Sequence, residues 1–143
     1  MSQPSTASAP QPVRTDPLYS ALVGLTTLGV LLQGLWAGIF LSYRDDRAAM
    51  NRWVDVHSIG ADVTVLLALL AAIVAVWRLR HRRELMVPTI VLFVLLVLEM
   101  VLGSLIREQH DNGLTAVHVP LAMLIMGMAV WLPVRARAGA VTH

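Results

Sequence analysis

The sequence contains no cysteine and no lysine, and it carries little charge. Without cysteine there is no disulfide framework, thiolate metal site, cysteine nucleophile or c-type haem attachment. Only 14% of the 143 residues are charged and 57% are hydrophobic, whereas a soluble domain has about 25% charged and about 45–50% apolar residues. This composition excludes an ordinary soluble enzyme. A net charge of +2 is also too small for the basic surface of a nucleic-acid-binding protein.

Four long apolar runs follow a polar N-terminal segment. Residues 1–17 are predicted to be a disordered cytoplasmic tail, because a segment rich in Pro, Ser, Ala and Gln cannot bury enough apolar surface. Each run approaches or exceeds the ~20 residues that cross a bilayer as a helix, and none alternates like a barrel strand. The sequence therefore predicts an all-α integral membrane bundle over 18–134, with a short cytoplasmic tail over 135–143. Its helices are expected over 18–42, 56–77, 85–106 and 114–134.

The arginines predict the orientation of these helices. Seven lie in the tails and in the loop between helices two and three, namely Arg14, Arg78, Arg80, Arg82, Arg83, Arg135 and Arg137. Four lie on the other side among acidic residues, namely Arg44, Arg47, Arg52 and Arg107. This excess places both termini in the cytoplasm, and short loops favour an up-down-up-down bundle. The Ala-, Val-, Leu- and Arg-biased composition indicates a bacterium, so the predicted location is the bacterial cytoplasmic membrane.

Five polar residues interrupt the apolar runs, where each of them is costly. They are Gln33 in helix one, His57 and Asp62 in helix two, Glu99 in helix three and His118 in helix four. All five fall in the outer half of the predicted bundle, and the inner half is almost purely apolar. A channel or pump would carry polar groups through both halves. The pattern therefore predicts one pocket near the outer surface.

A faint internal repeat relates the two halves of the chain. Each half has a polar residue followed by a glycine, then a polar loop, then H-x-x-x-A opening the next helix at His57 or His118. Duplicated hairpins related by an axis along the membrane normal would set the two histidines opposite each other at equal depth. Neutral imidazoles on facing helices are suitable axial ligands for haem iron. The sequence therefore predicts one b-type haem with two histidine ligands.

Further residues are expected to shape this haem site. Three small residues near the histidines would let a flat macrocycle approach the backbone, namely Ala61, Ala122 and Gly60. Two arginines on the outer side would face the anionic propionates, namely Arg52 and Arg107. The alternatives are that the histidines are structural and hydrogen-bonded to Gln33, Asp62 or Glu99, or that they serve a metal ion or a proton relay.

The chain resembles the haem A synthases, most clearly in its second half. The sequence EMVLGSLIR from Glu99 to Arg107, followed by a polar loop and His118, is similar to the family pattern Q-x-V-L-G-x-x-x-R … H. In that family each four-helix half has one histidine in its second helix and one in its fourth, and the pair ligates haem. The resemblance covers residues 30–134. It implies a half-size relative that binds haem through His57 and His118, or one that keeps the fold and has lost the cofactor. It implies binding rather than oxidation of haem, because Val54 and Ser58 stand where the family has Glu and Arg.

The chain also resembles small actinobacterial four-helix membrane proteins, which share a Gln and Gly stretch in helix one and a histidine opening helices two and four. The leading hypothesis is a small b-type cytochrome-like protein that transfers electrons or handles haem near the outer face. The alternatives are a cofactor-free accessory subunit of a larger, respiratory membrane complex, and a small-molecule or proton-coupled carrier that uses Glu99 and Asp62. The expected partners are the lipid bilayer and a respiratory complex or a second copy of the chain, but no nucleic acid.

Overall fold

The structure, a computed structural model, describes residues 16–109 and 112–138. These residues form four long helices, α1 (Pro17–Ser42), α2 (Arg47–Arg78), α3 (Arg83–Gln109) and α4 (Thr115–Ala138), with a short 3-10 helix, Asn112–Leu114, before α4. Each of the four is long and apolar enough to cross a membrane. This confirms the prediction of an all-helical chain with four helices that are long and apolar enough to span a membrane. Most of the predicted N-terminal tail, residues 1–15, and the end of the C-terminal tail, residues 139–143, lie outside the described residues.

Aspartates cap the first two helices. The Asp16 carboxylate accepts a hydrogen bond of 3.0 Å from the backbone N–H of Tyr19, and Pro17 occupies the first turn of α1. The Asp46 carboxylate accepts a bond of 3.0 Å from the backbone N–H of Ala49. Because of this second cap, α2 begins at Arg47 rather than at the predicted residue 56. These first turns of α2 are polar, so a prediction from hydropathy alone does not include them in the helix.

Asp16 also joins the start of α1 to the end of α2. Its carboxylate accepts a bond of 2.9 Å from Nη1 of Arg78. The backbone N–H of Tyr19 and then the Arg78 guanidinium lower the pKa of Asp16. The stability that this carboxylate contributes is therefore present above the ordinary pKa of aspartate, and it is lost as the pH falls through the lowered value.

The four helices form a ring in which each packs against two others. The most extensive contact is that of α1 with α2, and the ring continues through α3 and α4 back to α1. Consequently α2 and α4 lie diagonally opposite each other. The α1–α2 contact is close at Gly29, because a Cβ atom there would lie 2.5 Å from Oγ1 of Thr64.

The buried apolar core occupies only one half of this ring. We call it the packed half, and it draws on the first part of α1 and α3 and the last part of α2 and α4. Its buried members are Tyr19, Val23, Val30, Ala68, Ala71, Ala75, Leu79, Leu85, Leu92, Leu96, Ile125, Ala129, Leu132 and Ala136. In the other half, residues 31–42, 47–63, 97–108 and 115–124, Ala49 is the only buried residue that the structure describes. We call this second half the polar half.

Tyr19 ties α1 to α3 inside the packed half. Its side chain is 0% exposed, and its hydroxyl oxygen lies 2.8 Å from Oγ1 of Thr89. The Thr89 hydroxyl donates its own proton to the carbonyl of Leu85 at 2.7 Å. Since a threonine hydroxyl has a single proton, Tyr19 is the donor of the bond between the two helices.

We expect the substitution Tyr19→Phe to lower the free energy of unfolding by about 1 kcal/mol, because it removes one buried hydrogen bond without changing the ring. Denaturation of the purified protein in mixed micelles measures this change. Tyr43→Phe is the matched control, because Tyr43 is exposed at the end of α1. An equal loss of stability in both variants would contradict the role given to the Tyr19 hydroxyl.

Candidate functional site

The polar half brings together one polar residue from each helix. Gln33 comes from α1, His57 from α2, Glu99 from α3 and His118 from α4, and all four are partly buried. Close contacts join Gln33 to His57 and Glu99 to His118. Four of the five polar residues that the sequence singled out therefore form two close pairs in this half, and we call these four residues the cluster.

His57 is held by the backbone of α1 and by an aromatic ring. Its Nδ1 lies 3.2 Å from the carbonyl oxygen of Gln33. Because a carbonyl only accepts, Nδ1 carries the proton in the neutral ring and Nε2 has the lone pair. The Phe40 ring meets the imidazole edge-on, with centroids 5.6 Å apart and planes at 80°. The tautomer and the plane of the imidazole are thus both restrained.

His118 lies against a carboxylate and a glycine of α3. Its Nδ1 is 3.1 Å from Oε1 of Glu99, although the N–H direction does not give a well-formed hydrogen bond. A Cβ atom at Gly103 would lie 3.5 Å from Cε1 of His118. The absence of a side chain at Gly103 therefore leaves room for the imidazole between α3 and α4.

Several buried polar atoms of the cluster have no hydrogen-bond partner among the described residues. They are Nε2 and Oε1 of Gln33, both carboxylate oxygens of Glu99 and Nδ1 of His118. An unsatisfied buried polar group costs about 1–3 kcal/mol, and such groups are rare in native proteins. These atoms lie in the half that lacks an apolar core, where they remain available to water or to a ligand.

Gly60, Ala61 and Ala122 were predicted to admit a macrocycle, and the structure gives Gly60 a different neighbour. The Trp36 indole of α1 occupies the space beside Gly60, so this glycine serves the α1–α2 contact. Ala61 and Ala122 are partly buried at their places on α2 and α4. Trp36 and Phe40 are the residues that the sequence reasoning missed. Both follow Gln33 at helical spacing, by three and seven residues, which could have indicated a shared face.

The predicted arginines and Asp62 are all exposed. Arg52 is exposed, and Nη2 of Arg107 pairs with Oδ1 of Asp55 at 2.7 Å. Asp62 is exposed on the outside of the ring. Asp62 therefore does not belong to the single pocket that the sequence predicted. A residue five positions from His57 points to another face of the helix, and the face of α2 with Gly60 and Thr64 packs against α1.

Comparisons with known protein families, with curated proteins and with solved structures find no match for the chain. In the part of the chain that the structure describes, no three His, Asp or Glu side chains are grouped so that they could hold a metal ion. A zinc-type site with three protein ligands is therefore not formed by these residues. His57 and His118 lie on α2 and α4, the diagonally opposite helices of the ring.

Proposed function

We propose that this chain is a small b-type cytochrome-like membrane protein that binds one haem b between α2 and α4, with His57 and His118 as axial ligands. The oxygen atom beside each imidazole supports the proposal. Nδ1 of His57 lies 3.2 Å from the Gln33 carbonyl, and Nδ1 of His118 lies 3.1 Å from the Glu99 carboxylate without a well-formed hydrogen bond. Histidines that bind metals almost always have such an outer acceptor, because it fixes the tautomer and leaves Nε2 for the metal.

The two imidazoles lie on α2 and α4, which are diagonally opposite helices of the ring. Helix bundles hold cofactors between facing helices, and α2 and α4 face each other across the ring. A bound haem supplies one-electron redox chemistry. The chain's own contributions would be the two imidazoles, the Glu99 carboxylate beside His118, and a packed half that closes the other end of the bundle.

The proposal includes an up-down-up-down order with both termini in the cytoplasm of a bacterium. The pair Asp16–Arg78 joins the start of α1 to the end of α2, and the pair Arg107–Asp55 joins the end of α3 to an early turn of α2. Both pairs support alternating helix directions. The arginine excess at 78–83 and 135–137 supports the cytoplasmic side. Electron transfer or haem handling would then take place near the outer face, with a respiratory complex as a partner.

A proton-coupled carrier is the second candidate, because the Glu99–His118 contact is an acid–base pair. The packed half argues against it. Its buried polar residues that the structure describes are threonines, each of which donates to a carbonyl of its own helix, namely Thr26, Thr64 and Thr89. A carrier needs polar groups along a path through both halves. A cofactor-free accessory subunit is the third candidate, and it predicts a colourless protein.

The absorption spectrum of the purified protein tests the proposal. After expression with ample haem, we expect the Soret and α bands of six-coordinate, low-spin haem, and the double variant His57→Ala, His118→Ala should lose them. His81→Ala is the control, because His81 is exposed in the connection between α2 and α3 and should keep both bands. A colourless wild-type protein, or unchanged bands in the double variant, would contradict haem binding and favour an accessory subunit.

A further inference from the structure

Asp62 is an exposed acidic residue inside a candidate membrane span. It lies sixteen residues before Arg78, the end of α2, which is about 24 Å along the helix axis and within a hydrocarbon core of about 30 Å. Asp62 has no hydrogen bond or ion pair with any residue that the structure describes. Ionisable residues within membrane spans almost always face protein or a water-filled cavity, because exposure to lipid is costly. Another protein surface is therefore expected to cover Asp62.

The surface around Asp62 has the spacing of a helix-pairing seam. Side chains on the outside of α2 recur at alternating steps of three and four residues, and we call this set the α2 seam. It consists of Ile59, Asp62, Leu66, Leu69, Ile73 and Val76, of which Ile73 alone is partly buried and the rest are exposed. Such heptad spacing is typical of parallel helix pairs, in which a single polar residue among apolar ones fixes the register. The α2 seam has this composition.

The outside of α3 provides a comparison within the same molecule. Its exposed side chains follow the same alternating steps, and we call them the α3 seam. They are Val87, Val91, Val94, Leu98 and Val101. The α3 seam has no polar residue. Apolar faces gain little by meeting in lipid, which is as apolar as they are, so the α3 seam is expected to remain in contact with lipid.

We propose that the α2 seam is an interface with a second copy of this chain, in which the two Asp62 carboxyl groups meet across a two-fold axis along the membrane normal. Symmetry places both carboxyl groups at the same depth and makes the aliphatic flanks match. Two carboxyl groups bind each other by sharing a proton, because the protonated one donates to the ionised one. In the described spans no other exposed ionisable group lies at this depth, so no other face of the chain supplies the partner. This proposal does not depend on haem binding.

Single cysteines test which seam is covered, because the natural chain has none. Leu66→Cys reports on the α2 seam, and Leu98→Cys is the matched control on the α3 seam, since the two leucines are 54% and 47% exposed. The full-length protein is placed in lipid vesicles at low density and oxidised. We expect Leu66→Cys to form a cross-linked dimer and Leu98→Cys to remain monomeric.

Substitutions at Asp62 test the role of the carboxyl group in the Leu66→Cys background. Asp62→Asn keeps a side chain that donates and accepts, so the dimer should persist. Asp62→Leu removes the polar contact and should weaken association by about tenfold. A Leu66→Cys protein that stays monomeric, equal cross-linking of both seams, or an unchanged dimer in Asp62→Leu would each overturn the proposal. Haem content is measured separately, so a failure of haem binding is distinguishable from a failure of dimerisation.

Discussion

A His118→Gly variant is expected to lose the low-spin haem spectrum and to regain it when imidazole is added. The substitution removes an axial ligand and leaves the volume of one imidazole between α3 and α4, bounded by Gly103. Free imidazole can fill that volume and direct its N–H toward the Glu99 carboxylate, which lies 3.1 Å from Nδ1 of His118 in the wild-type protein. Absorption spectra of the purified variant with and without imidazole measure the effect.

Rescue by imidazole distinguishes a histidine that binds haem iron from one that has only a structural role. His57→Gly should behave in the same way, because the Gln33 carbonyl remains as an acceptor. Glu99→Leu is a control with an intermediate effect. It removes the residue beside His118 but leaves the histidine ligand in place, and loss of such a partner typically weakens metal binding by about 10–100-fold. If both glycine variants lost the bands and neither regained them with imidazole, the histidines would be structural.

A Gly29→Ala variant is expected to be less stable by about 1–3 kcal/mol, the usual cost of overpacking. Its Cβ atom would lie 2.5 Å from Oγ1 and 3.1 Å from Cγ2 of Thr64, so α1 and α2 would have to move apart. Unfolding in mixed micelles measures the change. Gly24→Ala is the matched control on the same helix, because nothing lies within 4 Å of the position of its Cβ atom.

The control should instead gain about 0.5–1 kcal/mol, since alanine favours the helix over glycine. Adding Thr64→Ala to Gly29→Ala should recover most of the lost stability. The double-mutant cycle then gives a coupling energy between the two residues. If Gly29→Ala and Gly24→Ala changed stability alike, the close approach of α1 and α2 at Thr64 would not be the cause.

The four helices could be predicted because apolar runs of this length have few alternatives in a bilayer. Their polar ends were harder to predict. Hydropathy missed the first turns of α2, where Asp46 caps a polar segment that begins at Arg47. The last turn of α4 continues to Ala138, beyond the predicted end at residue 134, for the same reason. Hydrogen bonds hold these turns in helical form, and apolarity does not mark them.

The cluster could be predicted in part. Gln33, Glu99 and the two histidines were recognised because a polar residue in a membrane span needs a protein partner. That rule does not say which face of the helix the partner occupies. The five-residue spacing from His57 to Asp62 does indicate a different face, and it sets Asp62 apart from the single predicted pocket. The contact between Gly60 and Trp36 depends on which helices are neighbours in the ring. A pattern within one helix does not contain that information.

The division into a packed half and a polar half also determines which part of the folded chain loses its helix contacts first. The buried cluster that resists unfolding lies in the packed half, and the polar half contains side chains that are already partly exposed. Local opening is cheapest where few apolar contacts are lost. The helices are therefore expected to separate first in the polar half, while the packed half holds them together. The proposed haem would enter at that end, and the chain without haem would keep its packed half folded.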